Sequence, residues 1–468
     1  MLPEANEPVP SPLSYMDGAG RVYLTSDRVL RAVPPSAAAM VRALMASGLP
    51  EELSDAGLMP PSRISDYVLP GSALVIEHPR LPVVTYPYEW SYGMLRDAAL
   101  LVLEVNAMAN ARGYELQDCH AYNVVFDGPR PLYVDFGSLV PRPLGARGWP
   151  ALEEFLGSYD YPLRIWADGS EFIARRLVAA SEFMSHADYG IYRWPWLRWG
   201  GAKSYQVWRK RWFRFRSLSR IPESKIRERL PSPLGNLVCT MQRKGWLPAQ
   251  DAGFPSLRRK VLRRRRYGEG GVWSDYQNDT AFAATPRLRR VIDLVRQAGV
   301  ASVLELGGNQ GRLSAELLRQ GVVRQAVCTD AEERAIDRAY TRTRQQGGRL
   351  HTAVLDFINP MTSPFGESPA CRLKADAVLA LAVTHHILLT QRVPVDRLLR
   401  SVAAFSRAHV FIEFMPRGLW DGRRAPPVPD WYTLDWFRKA FSQQFDLRHE
   451  ELLEENRHLF HGRLRQPE

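Results

Sequence analysis

The sequence predicts an α/β protein whose C-terminal part folds as a doubly wound parallel sheet. First, residues 301–311 read as a buried strand that enters a glycine-rich turn, and a helix begins at Arg312. Second, strand patterns that alternate with helical ones follow at 324–330, 351–355, 377–383 and 409–414. Third, residues 447–464 read as an antiparallel hairpin that would close the sheet.

Besides the helix that begins at Arg312, three further helices are predicted around these strands. Thr285 caps the first and Pro286 opens it, because proline suits the first turn of a helix. Residues 394–407 form an amphipathic pattern, and 433–445 give the last helix. Between these two, residues 415–429 form a long loop that would suit a lid over an acceptor molecule.

The glycine turn after the first of these strands would form a backbone cradle for a polar ligand. A dinucleotide fingerprint needs glycine at the first, third and sixth positions of the turn. Counting from Gly307, the chain has Asn309 and Arg312 at the other two positions. Asparagine tolerates a positive φ, whereas an arginine side chain would obstruct close packing of helix on strand. A nicotinamide cofactor is therefore disfavoured.

The turn resembles motif I of class I S-adenosylmethionine (SAM) methyltransferases. Glu305 ends the strand and is followed by Gly307, Gly308, Asn309 and Gly311, with the asparagine at a position where the family usually has glycine. The resemblance implies a Rossmann-like sheet with SAM as the cofactor. It also implies that these five residues hold the methionine end of SAM.

Acidic residues end the next two predicted strands as well. A carboxylate at Asp330 could accept two hydrogen bonds from ribose hydroxyls, although an ordinary solvated loop acid is the alternative. The next strand ends at Asp356 and Phe357, where the resemblance implies contact with adenine. Because the carboxyl ends of parallel strands meet at one edge of the sheet, these residues predict a single cofactor site.

Two histidines, His385 and His386, follow the fourth strand of the predicted sheet and are the predicted catalytic residues. An imidazole with an ordinary pKa can accept the proton of an acceptor hydroxyl. The alternative is that they cap a helix or shape the pocket, because a sulfonium is a good leaving group and orientation supplies much of the acceleration.

The N-terminal half reads as an α+β module. Short strands are predicted at 21–24, 28–33, 73–77 and 83–86, and a long helix over 92–112. Asp118 and Asn123 then stand on a loop, and Asp135 opens an Asp-Phe-Gly segment after a hairpin. This set resembles the catalytic loop and metal-binding segment of protein-kinase-like phosphotransferases, which would make Mg-ATP a second cofactor.

Other kinase features are missing from the sequence. No lysine occurs before Lys203, and Gly18 and Gly20 are only a fragment of a glycine-rich loop. Arg31 is a candidate replacement for the phosphate-pairing lysine, although a guanidinium is not an equivalent point charge. We therefore predict a degenerate kinase-like module over 1–240. A bifunctional enzyme that also binds ATP or phosphorylates its substrate is one alternative, and an unrelated hairpin is another.

Basic charge is concentrated in residues 193–266. This segment has 21 Lys and Arg against three acidic residues, so the rest of the chain carries a negative balance although the whole chain is +12. Its tryptophans alternate with arginines, which suits nucleic acid or an anionic membrane surface. A non-enzymatic protein that binds one of these is an alternative function. The favoured interpretation is an interdomain segment with solvated arginines.

Length and composition bound the remaining classes. With 468 residues, two or more domains are expected, here 1–240, a basic linker at 241–270, and a methyltransferase domain at 271–468. No apolar run reaches the roughly 18–20 residues that a membrane span needs. The N-terminus lacks a secretory signal pattern, and the four cysteines lack metal-ligand spacing, so a cytoplasmic protein without a bound metal is predicted.

Over its full length the chain resembles the NoeA-like host-specific nodulation family of rhizobia. The resemblance rests on residues 86–90, 307–311, 359–360 and 380–386, together with the Asp118, Asn123 and Asp135 set. It implies a SAM-dependent methyltransferase that acts on a small-molecule acceptor, a sugar or another molecule related to nodulation. No residue in the sequence identifies the acceptor or the atom that is methylated.

Overall fold

A computed structural model describes residues 7–11, 14, 20–144, 148–180, 182–193, 222–244, 254–266, 285–362, 367–419, 424 and 426–465. The chain divides into two compact units that are not contiguous in sequence. The first comprises Met1–Arg80, Arg96–Val124 and Leu132–Tyr267, and the second comprises Leu81–Leu95, Val125–Pro131 and Gly268–Glu468. Residues 81–95 and 125–131 therefore pack with the C-terminal unit, although they lie within the range predicted for the N-terminal module.

The first unit contains a five-stranded antiparallel sheet. Its strands are β1 (Val9–Pro10), β2 (Arg21–Leu24), β3 (Arg28–Val33), β4 (Arg63–Ser65) and β5 (Leu74–Pro79). They lie in the order β1-β2-β3-β5-β4. The strand that the sequence predicts at 83–86 does not form. Pro82 and Pro87 bracket that segment, and a proline cannot donate a hydrogen bond to a strand ladder.

Helices and two small strand pairs complete the N-terminal half of the chain. The helices are α1 (Pro35–Ala46), α2 (Leu49–Asp55), α3 (Tyr92–Ala111), α4 (Leu152–Phe155), α5 (Tyr161–Ala167), α6 (Glu171–Ala179), α7 (His186–Arg193), α8 (Glu223–Arg229), α9 (Ser232–Arg243) and α10 (Phe254–Arg263). The paired strands are β6 (Tyr114–Leu116) with β9 (Leu139–Pro141), and β7 (Val124–Asp127) with β8 (Arg130–Tyr133). A single helical turn at Ala121–Asn123 contains Asn123, and Asp135 caps the N-terminus of another at Phe136–Ser138.

The second unit is built on a seven-stranded sheet. Its strands are β10 (Ser302–Leu306), β11 (Gln325–Asp330), β12 (His351–Val354), β13 (Ala375–Ala380), β14 (Ser406–Phe414), β15 (Phe445–Glu454) and β16 (Arg457–Leu464). The order is β12-β11-β10-β13-β14-β16-β15, with the first five strands parallel and β16 antiparallel to β14. This confirms the predicted Rossmann-like sheet. The strand order reverses between β10 and β13, which creates the crevice where ligands bind in such sheets.

Helices cover both faces of this sheet. They are α11 (Pro286–Ala298), α12 (Arg312–Arg319), α13 (Glu333–Gln345), α14 (Pro369–Arg372), α15 (Val395–Ala404) and α16 (Leu434–Gln444). Alternate residues of β10 enter different hydrophobic clusters. Val303 packs with α11 and α12 residues, and Leu304 packs with α15 and α16 residues. A parallel sheet that is buried on both sides is the doubly wound arrangement.

Residues 81–95 are held in the second unit by buried charge. The carboxylate of Glu89 accepts two hydrogen bonds from the Arg372 guanidinium (2.6 and 3.0 Å), and both side chains are almost fully buried. The same guanidinium lies over the Tyr86 ring at 4.0 Å. At the start of α3, the N–H groups of Tyr92 and Gly93 donate to carboxylates of α13 (both 2.7 Å). These contacts satisfy helix N-terminal donors that no backbone carbonyl could reach.

Candidate functional site

A strained turn links β10 to α12. Gly307, Asn309 and Gly311 have φ values of 69°, 52° and 65°, so the asparagine adopts the left-handed conformation that its place in the motif requires. The Asn309 N–H donates to Asp330 Oδ2 at 2.8 Å, and the Gly308 N–H donates to the carbonyl of Thr329 at 2.9 Å. The turn is therefore attached to the end of β11.

Two of the predicted cofactor residues serve the packing of this turn. A Cβ atom on Gly308 would lie 2.8 Å from both Glu305 Cδ and Cys328 Sγ, and one on Gly311 would lie 2.9 Å from Cys328. Neither glycine is among the residues that line the cavity described next. A Cβ on Gly307, by contrast, would approach Val383 at 3.0 Å on the side where a cavity opens.

This cavity, of about 840 Å³, lies at the carboxyl ends of the parallel strands. We call it the strand-end cavity. Its volume is within the range of small-molecule sites. Of the residues predicted for cofactor and catalysis, those that line it are Glu305, Gly307, Asn309, Asp330, Asp356, Phe357, His385 and His386.

Asp330 is fixed by backbone donors on both carboxylate oxygens. Oδ2 accepts the Asn309 N–H, and Oδ1 accepts the Glu332 N–H at 2.8 Å. Burial raises the pKa of Asp330, while these N–H donors act in the opposite direction. Each oxygen keeps a further lone pair that could accept a hydrogen bond from a ligand hydroxyl.

Glu305 is buried beside the turn and accepts a hydrogen bond from Ser314 Oγ at 2.5 Å. Burial raises the pKa of Glu305 to about 7, against an ordinary value of 4.5. Near neutral pH this carboxyl is therefore balanced between its charged and uncharged forms. A cation placed beside it would shift it to the carboxylate.

The loop after β12 forms another wall of the strand-end cavity. Asp356 Oδ1 accepts the N–H groups of Ile358 (2.9 Å) and Asn359 (3.0 Å), which closes a tight turn. Phe357 lies between the bonded residues and is buried in the wall, while Asp356 itself is exposed.

The two histidines begin a π-helical turn, His386–Thr390, after β13. Their ring centroids are 4.1 Å apart. Burial, with the nearby His386 and Arg457, lowers the pKa of His385 to about 3, and burial also lowers the pKa of His386. The expectation of an ordinary imidazole pKa is therefore wrong for His385, which stays neutral at physiological pH and is a weak base. The catalytic roles themselves stay predictions.

A buried ion-pair network beside the histidines is absent from the sequence prediction. Glu413, near the end of β14 and fully buried, accepts hydrogen bonds from Arg287 (3.1 Å to each oxygen) and from Arg457 (3.2 Å). Both arginines line the strand-end cavity. Glu413 also accepts the Ala382 N–H at 2.9 Å and so holds that residue at a φ of 53°. These residues are far apart in sequence, and no local pattern connects them.

Asn456, in the turn between β15 and β16, also lines the strand-end cavity and is buried. Its Oδ1 accepts the Arg417 N–H at 2.7 Å. Its Nδ2, like Nδ1 of His385, is buried and has no hydrogen-bond partner within the described part of the chain. A buried polar atom without a hydrogen-bond partner destabilises the folded protein unless a ligand or a water molecule forms a hydrogen bond with it.

The kinase-like residues of the first unit form two pairs. Asp118 Oδ1 accepts hydrogen bonds from Asn123 Nδ2 (3.0 Å) and from the His120 N–H (2.9 Å). Asp135 Oδ1 lies 3.2 Å from Nη2 of Arg31, a nearly buried arginine. Among the residues that the structure describes, no group of three or more His, Cys, Asp or Glu side chains is arranged to hold a metal ion.

Glu154 is a neighbour of this motif that the sequence did not indicate. Its Oε2 accepts the Cys119 N–H at 2.7 Å. Burial and the charge of Asp118 raise the pKa of Glu154 to about 7.

All six tryptophans of the basic segment, at 194, 196, 199, 208, 212 and 246, lie outside the described residues. In the described part, two arginines after α10 are used in ion pairs: Arg264 with Asp160 at 2.8 Å and Arg266 with Glu171 at 3.0 Å. Binding of nucleic acid or membrane by this segment stays a prediction. Within the described ranges, no helix is long and apolar enough to cross a membrane.

Comparison with known proteins adds one relative that matches most of the chain. No protein-family model matches the sequence. The chain is 27% identical over 436 residues to the nodulation protein NoeA of Rhizobium meliloti (strain 1021), covering 86% of this chain and 84% of NoeA. The predicted resemblance to NoeA is thereby confirmed.

Solved structures of methyltransferases match the chain more distantly. The N-methyltransferase NodS from Bradyrhizobium japonicum WM9 is 14% identical, over 40% of this chain and 100% of NodS, with a TM-score of 0.29. The magnesium protoporphyrin IX methyltransferase ChlM from Synechocystis PCC 6803, solved with bound SAM, is 17% identical, over 46% of this chain and 92% of ChlM, with a TM-score of 0.29.

Proposed function

We propose that the protein transfers a methyl group from SAM to a small-molecule acceptor. The observation that carries the proposal is the hydrogen bond from the Asn309 N–H to Asp330. It joins the glycine-rich turn to the acid of the next strand at the edge of a cavity of about 840 Å³. The turn and the carboxylate lie where the strand order of the parallel sheet reverses. A polar turn and a fixed carboxylate at this place suit a ligand that contains adenosine.

The residues of the strand-end cavity fit SAM chemically. Glu305 would face the ammonium group of the methionine end. Its carboxyl has a pKa of about 7, so a neighbouring cation would keep it in the carboxylate form. Asp330 would accept hydrogen bonds from ribose hydroxyls. Asp356 and Phe357 would border the adenine. When bound, SAM supplies an electrophilic methyl group on a sulfonium.

Other residues of the chain would prepare the acceptor. Asn456 Nδ2 can donate to an oxygen of the acceptor, and neutral His385 can orient its hydroxyl. His386 is the better candidate for a base, because the pKa of His385 is lowered to about 3. Arg287 and Arg457, held by Glu413, keep the cavity wall rigid. Much of the acceleration would come from this positioning.

Calorimetric titration of the full chain with S-adenosylhomocysteine (SAH) tests the cofactor assignment. We expect Asp330→Ala to weaken binding by at least tenfold, since it removes both ribose acceptors. Asp376→Ala is the matched control. Asp376 also accepts two backbone N–H groups, of Ala301 and Ser302, but at the opposite end of the sheet. Equal SAH affinity in wild type and Asp330→Ala would refute the assignment.

A second candidate function is ATP binding in the first unit, which would make the protein bifunctional. It is favoured by the ion pair between Arg31 and Asp135, because it places a cation beside the acid of the Asp-Phe-Gly segment. We expect Mg-ATP to raise the melting temperature of wild type and not of Asp135→Ala. Absence of any shift in wild type would remove this candidate and leave a degenerate kinase-like module.

The biological setting of the reaction rests on NoeA alone. NoeA is named a nodulation protein, and we propose an acceptor from that process, such as a sugar, with transfer in the cytoplasm. Tritiated-methyl transfer into fractionated cell extracts would reveal the acceptor. No labelled small molecule in any fraction would count against this setting.

A further inference from the structure

A second cavity, of about 760 Å³, lies next to the strand-end cavity in the same unit. We call it the apolar cleft. Only two of its fourteen lining residues, Arg392 and Asp396, are polar. The other twelve are Leu388, Leu389, Val393, Pro394, Val395, Leu419, Pro426, Pro427, Val428, Pro429, Trp431 and Trp436.

The apolar cleft borders the strand-end cavity. Leu419 lines both cavities. The π-helical turn also connects them, because its first residues, His386 and Ile387, face the strand-end cavity and the next two, Leu388 and Leu389, face the cleft. A ligand that reacts beside the histidines could therefore extend past Leu419 into the cleft.

The cleft exposes apolar surface that a folded protein normally hides. Trp431 is 50% exposed and packs edge-on against Trp436, with ring centroids 4.8 Å apart. The segment Pro426–Pro429 adds three prolines, which have no N–H to offer a polar ligand. A wall built mainly of apolar side chains favours hydrocarbon over a hydrated group.

We propose that the apolar cleft holds a hydrocarbon arm of the methyl acceptor. The acceptor would then be amphipathic. Its polar, reacting end would lie at His385 and Asn456, and its apolar arm beyond Leu419. The assignment of the polar end rests on the proposed methyl transfer, whereas hydrocarbon binding in the cleft is a property of the cleft alone. A second copy of this chain is the competing occupant.

Binding of an apolar probe to the full chain tests the cleft. N-phenyl-1-naphthylamine should bind saturably with increased fluorescence, and alkyl glucosides below their micelle concentration should displace it. Each added methylene that is buried should improve displacement by roughly fourfold. Trp431→Ser should weaken probe binding at least tenfold, and Leu419→Ser provides a second variant at the junction. Leu452→Ser, which alters a similarly exposed apolar residue outside the cleft, should have no effect.

The outcomes separate the cleft from the cofactor site. SAH titration on the same samples reports the proposed function, so saturable probe binding without SAH binding would refute methyl transfer alone. SAH binding without saturable probe binding, or displacement that is independent of chain length, would overturn the cleft assignment. The assignment would also be overturned if sedimentation showed a dimer of the wild type that the Trp431→Ser variant does not form. Finally, the tritiated product from extracts should partition into butanol, and a product confined to water would refute the amphipathic acceptor.

Discussion

The ionisation of Glu305 should couple cofactor binding to pH. Burial raises the pKa of this carboxyl to about 7, although the hydrogen bonds of Ser314 and the charge of Arg287 act in the opposite direction. If the ammonium group at the amino-acid end of SAH or SAM lies beside Glu305, binding requires the carboxylate form of Glu305. Binding near neutral pH must then release a proton from the fraction of molecules that are protonated.

The magnitude follows from the pKa. With a pKa of about 7, roughly half of the molecules carry the carboxylate at pH 7 and roughly one in eleven at pH 6. SAH affinity should therefore fall about fivefold between pH 7 and pH 6, with release of about half a proton per ligand at pH 7 and nearly one at pH 6. Between pH 8 and pH 9 the affinity should be flat.

The same pKa has a consequence for the stability of the ligand-free protein. The folded-state value lies above the ordinary 4.5, so folding favours the protonated carboxyl. The contribution of Glu305 to stability is present in full below the ordinary pKa and is lost as the pH rises to about 7. At pH 8 the buried charge costs at most about 3 kcal/mol. Glu305→Gln, which can still accept the Ser314 hydrogen bond, should recover much of this.

Calorimetry in buffers of different ionisation enthalpy measures the proton count, and urea denaturation measures the stability. Glu305→Gln should bind SAH weakly, with no proton release, and should be more stable than wild type at pH 8. Glu316→Gln is the control, because Glu316 pairs with Arg319 on the surface and its pKa is lowered. Constant SAH affinity from pH 6 to pH 8 together with zero proton release would refute the placement of the ligand cation at Glu305.

Three further predictions concern the second unit. Glu89→Ala should lower the free energy of unfolding by about 3–5 kcal/mol in urea denaturation, because it leaves the buried Arg372 unpaired. The control Arg400→Ala breaks only an exposed ion pair and should lower it by less than about 1 kcal/mol. Equal effects of the two variants would contradict this prediction. Ala382→Gly should stabilise by about 1 kcal/mol, since it relieves a left-handed φ, and a lower melting temperature would contradict it. His386→Asn should lower the rate of tritiated-methyl transfer by about 10²-fold or more with SAH affinity unchanged, and an unaltered rate would exclude it as the base.

Local patterns were sufficient to predict the sheet of the second unit. Each of the five parallel strands contains a short apolar run with a turn residue or an acid within a few positions of its end. The conformation of Asn309 was likewise predictable, because a turn of this type needs a positive φ and asparagine is among the few residues that tolerate it. The position of Asp330 next to the turn followed from parallel pairing of adjacent strands.

The features that the sequence did not indicate depend on contacts between distant residues. Glu413 holds Arg287 from 126 positions away, and only the folded sheet brings them together. The pKa of His385 depends on burial and on Arg457, which are properties of the tertiary structure. Residues 83–86 have the apolar pattern of a strand but do not form one, because the flanking prolines cannot donate to a strand ladder. The following residues are instead held by the ion pair of Glu89 with Arg372.

One turn of the chain connects the proposed ribose site to the segment from the N-terminal half. The Glu332 N–H fixes Asp330, and the next residue, Glu333, begins α13 and accepts the Tyr92 N–H at the start of α3. Residues 86–90 join the same unit through the buried ion pair of Glu89 with Arg372. Although they precede the C-terminal sheet by more than 200 positions, they form part of its support, and a fragment restricted to 271–468 would lack the partner of Arg372.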